Sequence, residues 1–206
     1  TLSARPAAGT AGRLYISTDN SVIYRDTGSV WTPLTPSAIR TLSYVAASLD
    51  TPNSSDWIVN ALAPAVPDPL ANSLTVRQFS QTTEQGTGAT FTVPGLATSV
   101  TITLKCRLSA AITGATNVVQ PRVYRRNIPA QGSIGSWGAA VELSNIPFPA
   151  SSTAWVYATQ TLTLASLGWT PGNLTIIEIT RRVAGVTGGV NVATPWLLAE
   201  LQLEFF

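Results

Sequence analysis

From about residue 54 onward, apolar and polar residues alternate with a period of two. Val100, Ile102, Leu104, Cys106 and Leu108 are interleaved with Thr101, Thr103, Lys105 and Arg107. In the last segment Leu197, Ala199, Leu201, Leu203 and Phe205 are expected on one face, with Glu200, Gln202 and Glu204 on the other. This pattern marks antiparallel strands with one face on a core and one in water. Strands are predicted near Asp56–Asn60, Ser73–Phe79, Ala89–Val93, Ser99–Leu108, Val118–Arg125, Ala139–Leu143, Trp155–Leu164, Leu174–Arg182 and Pro195–Phe206. Gly- and Pro-rich loops separate them, and no helix of crossover length intervenes. The expected fold is therefore all-β, an antiparallel β-sandwich of jelly-roll-like type over residues 54–206.

Residues 1–36 read as a β-hairpin arm. Arg13–Thr18 and Ser21–Arg25 flank the turn pair Asp19-Asn20, and Asp26-Thr27-Gly28 leads into Ser29–Thr32. Strands this short are marginal alone, so the arm is expected to dock on its own domain or on another chain. Residues 37–53 form a connector. Ile39, Leu42, Ala46 and Leu49 follow a three-four-three spacing between Pro36 and Pro52, which predicts a short helix. Such a helix either packs on the sandwich or supplies a self-association seam.

Composition narrows the chemistry. The 206 residues suit one domain with an appendage. Charged residues make up 11% and hydrophobic ones 45%, which excludes an intrinsically disordered chain. Twelve basic against ten acidic side chains give a net charge of only +2, and Lys105 is the sole lysine. With no His and one Cys, neither a zinc cluster nor an imidazole-dependent triad can be assembled. No Asp-rich calcium loop is present, so neither metal nor cofactor is expected. Cys106 lies in an alternating apolar run and reads as a small core residue; no disulfide can form within the chain. No run of eighteen apolar residues and no charged-then-apolar leader is found, so no membrane association is expected. The absence of Met and the start at Thr1 suit a product trimmed of its initiator.

Among the carboxylates, Glu142 with Glu178 is a catalytic pair in principle, but nothing in the spacing selects it, and no enzymatic activity is expected. Arg122, Arg125 and Arg126 cluster beside Tyr124, and Arg181-Arg182 ends another strand. Protein-interface contact is the leading reading, with salt bridges or a charged strand edge as the alternative. Nucleic acid binding is not expected, because the rest of the chain is nearly neutral. Trp57, Trp155 and Trp196 sit in apolar strands and read as core. Trp31, Trp137 and Trp169 lie at strand ends or loops, where they cap the core or anchor a partner.

The stretch Arg5–Trp31, centred on Arg13-Leu14-Tyr15-Ile16 and Ile23-Tyr24-Arg25-Asp26-Thr27-Gly28, resembles a small hairpin module common in tailed-bacteriophage virion proteins. Trp57–Pro64, Leu74–Phe79 and Trp196–Leu201 are similar to segments of phage structural proteins. The resemblance implies a non-enzymatic virion role, and no catalytic residue carries over. A compact arm plus one sandwich suits a cement or decoration protein on the capsid surface. Its arm would contact the major capsid protein or another virion protein through Tyr15, Ile16, Val22, Tyr24 and Trp31. A homo-oligomer, trimer or dimer, would form through Ile39, Leu42, Ala46 and Leu49, with Arg122, Arg125 and Arg126 as interface arginines. The alternative is a tail-fibre or receptor-binding protein that recognises host surface glycans.

Overall fold

The computed structural model describes residues 5–16, 23–33, 40–49, 63–113, 117–128 and 136–206. The predicted Asp19-Asn20 turn, the strand at 56–60 with Trp57, and the candidates Val22 and Ile39 lie outside the described residues.

Three strands, β1 (Leu14–Ile16), β2 (Ile23–Asp26) and β3 (Trp31–Pro33), form an antiparallel sheet of their own. The chain then passes through β4 (Arg40–Val45) and a 3-10 turn at Ala46–Ser48. Next come β5 (Ala65–Asp68), β6 (Ala71–Phe79), β7 (Gly86–Thr92), β8 (Ser99–Leu108), β9 (Asn117–Val119) and β10 (Pro121–Ile128). After β11 (Val141–Glu142), β12 (Ile146–Pro147) and β13 (Val156–Thr163), one helical turn, α1 (Leu164–Leu167), leads to β14 (Leu174–Arg181), β15 (Val190–Asn191) and β16 (Trp196–Phe205). The large sheet runs β13-β8-β16-β6-β5, with β4 on the C-terminal half of β16; the facing sheet runs β11-β10-β14-β7. A small sheet, β12-β9-β15, contributes a short parallel ladder between β15 and β9. The protein is thus an all-β, essentially antiparallel sandwich, as the alternation predicts.

The core lies between the two main sheets. Val100, Ile102, Leu104, Cys106 and Leu108 of β8 are all buried against Val123, Ile177 and Ile179 of the facing sheet. Phe91, Trp169 and Phe205 form an aromatic cluster with centroids 5.2–6.1 Å apart, so Trp169 caps the core rather than facing a ligand. The turn α1 delivers Leu164 and Leu167 to the same end. It is capped by the Thr163 hydroxyl, which accepts from Ser166 N–H, and it stops at Gly168, whose φ of 62° is left-handed.

Two expectations change. The predicted connector helix is a strand over Arg40–Val45, pairing along β16 from Phe205↔Arg40 to Glu200↔Val45. Leu42 points from this strand to the core, while Ala46 and Leu49 are buried within and just past the 3-10 turn. The three-four-three spacing therefore arises from a strand followed by a tight turn. Pairing with the free edge of β16 outweighs local propensity. Leu42, Ala46 and Leu49 thus pack within the chain's own fold. Secondly, the last strand does not keep one phase. A β-bulge between Leu198 and Glu200 resets the alternation. Trp196 and Leu198 face the main core together with Leu201, Leu203 and Phe205, while Leu197 and Ala199 join Val76 in a small second core on the opposite face.

Arg77 on β6 is 2% exposed. It donates to the carbonyls of Ala46 (3.0 Å), Leu49 and Ala63 (3.4 Å), tying the end of the β4 segment to the start of β5. Arg77→Met removes the donors and leaves buried carbonyls unmet, so urea unfolding is expected to show a loss of roughly 3 kcal/mol. An unchanged midpoint would contradict this clamp.

Candidate functional site

The arm is organised by one buried carboxylate. Asp26, at the end of β2, accepts from the backbone N–H groups of Gly9 (3.1 Å), Thr10 (3.1 Å) and Gly28 (2.8 Å). Arg13 adds Nε at 3.0 Å and Nη2 at 2.5 Å. Burial alone would raise the Asp26 carboxyl, but the Arg13 guanidinium and these backbone donors outweigh it and hold the group well below the usual carboxylate range. The donors draw residues 9–13 back across the hairpin. Arg13 also reaches the carbonyl of Ala7 at 2.9 Å, and Trp31 Nε1 donates to Pro6 at 2.8 Å.

Strand register decides which residues this wrap covers. Tyr15 pairs with Tyr24, Asp26 with Trp31, and Leu14 and Ile16 with Arg25 and Ile23. Side chains alternate, so Tyr15, Tyr24, Asp26 and Trp31 share one face, and Leu14, Ile16, Ile23 and Arg25 the other. On the first face Tyr15 meets Trp31 edge-on at 6.0 Å. Arg5 lies 4.7 Å over the Tyr24 ring, and Arg13 lies 5.4 Å from Trp31. That face is an internal cluster. On the second face Leu14 is 64%, Ile16 67% and Ile23 42% exposed, with Arg25 beside them. A hollow of about 420 Å³ opens next to this face, lined by Ala11, Arg25, Asp26, Thr27 and Thr32.

Of the predicted contact residues that are described, only Ile16 therefore stands on the open apolar face. Tyr15, Tyr24 and Trp31 are half-buried and hold the arm together. Leu14 and Ile23 belong to the open face; the period-two rule applied to the hairpin register would have found them.

The arginine cluster is dispersed. Arg122 bonds Glu84 at 3.2 Å and Glu142 at 3.1 Å. Burial works to lower its pKa, but Glu84, then Tyr124 and Glu142, raise it on balance. Arg125 is folded against the glycines at 138 and 168; a Cβ at Gly168 would run into its guanidinium. Arg126 is half-buried on β10. Arg181 is fully buried and donates to Thr194 and Val192 carbonyls, while Arg182 holds Glu142 at 2.6 Å. Arg122 and Arg125 are thus occupied within the chain. Arg125 and Arg126 pair with Ile177 and Ile176 of β14, while β11 covers the other side of β10 only at Arg122 and Val123.

Glu142 and Glu178 are set in different surroundings on strands that are not neighbours. Arg122 and Arg182 hold Glu142, Glu178 is fully buried opposite Gly88, and β10 separates their strands. Burial of Cys106 pushes its thiol up to about 12, far from a nucleophile's range. Among the described residues, no group of three His, Cys, Asp or Glu side chains is placed to hold a metal, and no helix is long and apolar enough to cross a membrane.

No family model and no curated protein matches the chain. Solved structures share its shape loosely. A family 16 carbohydrate-binding module-2 is 15% identical over 72% of this chain and 87% of its own, with a TM-score of 0.39. A chain from infectious bursal disease virus, Gx strain, is 11% identical over 89% of this chain and 38% of its own, at 0.39. The enzymatically active domain of bacteriophage CBA120 tailspike protein 4 is 7% identical over 81% and 19%, at 0.36. Scores this low say nothing of activity, ligand or assembly.

Because the folded Asp26 carboxyl sits below its ordinary value of 3.8, its stabilising contribution is complete above that pH. It is lost progressively as the pH falls further toward the lowered folded value. Acid is therefore expected to loosen the arm before the sandwich, and Asp26→Asn to do the same at neutral pH. The check is the Trp31 indole NMR resonance and the exchange of the Gly9, Thr10 and Gly28 amides. An arm insensitive to both changes would contradict the role given to Asp26.

Proposed function

We propose that this chain is a non-enzymatic structural component of a phage virion, a cement protein that attaches to the assembled capsid through the open face of its arm. One observation carries the reading: a three-stranded sheet, separate from the sandwich, presents Leu14, Ile16 and Ile23 to solvent around Arg25. An exposed apolar row on a braced element is the form of a docking surface, since little chain entropy remains to be lost on binding. The likeness of Arg5–Trp31 to phage virion hairpins supports the same reading. Restraint of Glu142 and burial of Glu178 and Cys106 favour adhesion over catalysis. A protein that binds only the assembled lattice stabilises it by RT ln(1 + [L]/Kd) per site.

The test is binding to purified expanded capsids, read as co-sedimentation and as a raised disruption temperature. Deleting residues 1–36 is expected to abolish both while the sandwich keeps its circular dichroism. Leu14→Ser, Ile16→Ser and Ile23→Ser should each weaken binding by about tenfold, as loss of a buried apolar anchor does. Retained binding after the deletion, or binding to host glycans with no capsid affinity, would overturn the proposal.

A further inference from the structure

Edge strands need protection from stray pairing, and most terminal strands of the described sandwich have it. β5 carries Pro67 and a register shift at Asp68. β11 has two residues, one of them Glu142. β7 contains Gly86 and Gly88, and its Gly86 carbonyl accepts from Ala63 N–H at 3.0 Å. β4 starts at Arg40 and ends in the 3-10 turn. β13 differs from all of these. Its eight residues, Val156 to Thr163, include no charge, proline or glycine. They pair without interruption along β8, from Val156↔Cys106 to Thr163↔Ser99. Among the described residues no strand covers the other edge of β13. Val156, Tyr157, Thr159, Thr161 and Thr163 all favour a pleated surface.

A slot of about 250 Å³ runs beside this edge, between β13 and the segment Leu143–Pro147. Ile102, Leu104, Leu143, Ile146, Val156 and Ala158 line it, and Ser144 N–H donates to Gln160 Oε1 of β13 at 2.7 Å. Tyr157, on the outer face, is 63% exposed.

We propose that β13 pairs antiparallel with β13 of a second copy, about a two-fold axis through Thr159, joining the two large sheets into one. Residues opposed across an antiparallel pair must share a face, so the dyad falls on a residue and not between two. Centred on Thr159, Tyr157 opposes Thr161 of the second copy, an aromatic–β-branched pair of the favourable kind. On the inner face Val156 opposes Leu162 of the second copy, which closes the mouth of the slot, and Ala158 opposes Gln160. No like charges meet along the seam. The interface is isologous: each copy offers the same strand and the same slot. It involves no arm residue and is independent of the capsid-binding proposal.

Sedimentation of the full chain is expected to show a concentration-dependent dimer. Thr159→Lys sets two ammonium groups face to face at the dyad and should weaken the dimer by about tenfold or more. Its thermal unfolding monitored by circular dichroism should change little. Tyr157→Lys, at an exposed position, gives a second reading should the first variant misfold. Thr159→Cys should cross-link the two copies on mild oxidation, because Cys106 is fully buried and does not compete; cysteine at position 157 or 161 should cross-link poorly. A monomer at every concentration, a closed trimer, or a dimer indifferent to both lysine variants would overturn the proposal.

Discussion

The arm exists as a unit because Asp26 cannot be buried alone. A carboxylate withdrawn from water must be met by donors, and the nearest ones lie along the chain that precedes the hairpin. Gly9, Thr10 and Arg13 supply them, so satisfying one charge folds residues 9–13 over a sheet whose strands have only three or four residues. The aromatic face beneath that wrap is then closed, with Tyr15, Tyr24 and Trp31 sandwiched under Arg5 and Arg13. Alternation does the rest. Once one face of a hairpin is used internally, the residues of opposite parity must stand outward, and here they are leucine and isoleucine.

The sandwich uses the same economy of charge. Eleven arginines and one lysine make an unusual basic complement. Three of those arginines are buried; Arg107 pairs with the buried Asp68, and the other two serve carbonyls. Arg77 gathers the carbonyls of Ala46, Leu49 and Ala63; Arg181 gathers those of Val192 and Thr194 with the side chain of Asn191. Burial draws the Arg181 pKa down to about 10, which still leaves it charged at neutral pH. A guanidinium offers five donors in a fixed fork, so one side chain can satisfy several loop carbonyls that no strand reaches. Among the arginines read as a partner surface in the sequence, Arg181 is used in this way, whereas Arg122 is held by the carboxylates of Glu84 and Glu142. A loop-rich β protein has many orphan carbonyls, and these groups answer them.

Much of the fold was legible because period-two alternation is enforced by the core. β8 matches its expected limits, and β6, β13, β14 and β16 lie within two residues of theirs. Legibility failed where tertiary pairing overrode local pattern. Leu42, Ala46 and Leu49 have helical spacing yet belong to a strand and a turn, since the open edge of β16 offered a ladder. The bulge at Leu198–Glu200 is invisible to a pattern count, because leucines at 197 and 198 suit either phase. In the arm, large aromatic residues drew attention as partner anchors, although aromatics are also what a small sheet needs to hold itself together. Only the hairpin register separates those two uses.

The proposed attachment to a capsid is through the arm's outward apolar row, braced by Asp26. Hydrogen–deuterium exchange of the protein, free and bound to capsids, addresses it most directly. New protection confined to Leu14–Ile16 and Ile23–Asp26 on binding is the predicted result. Protection that arises only in the sandwich, with those strands unchanged, would contradict attachment through the arm.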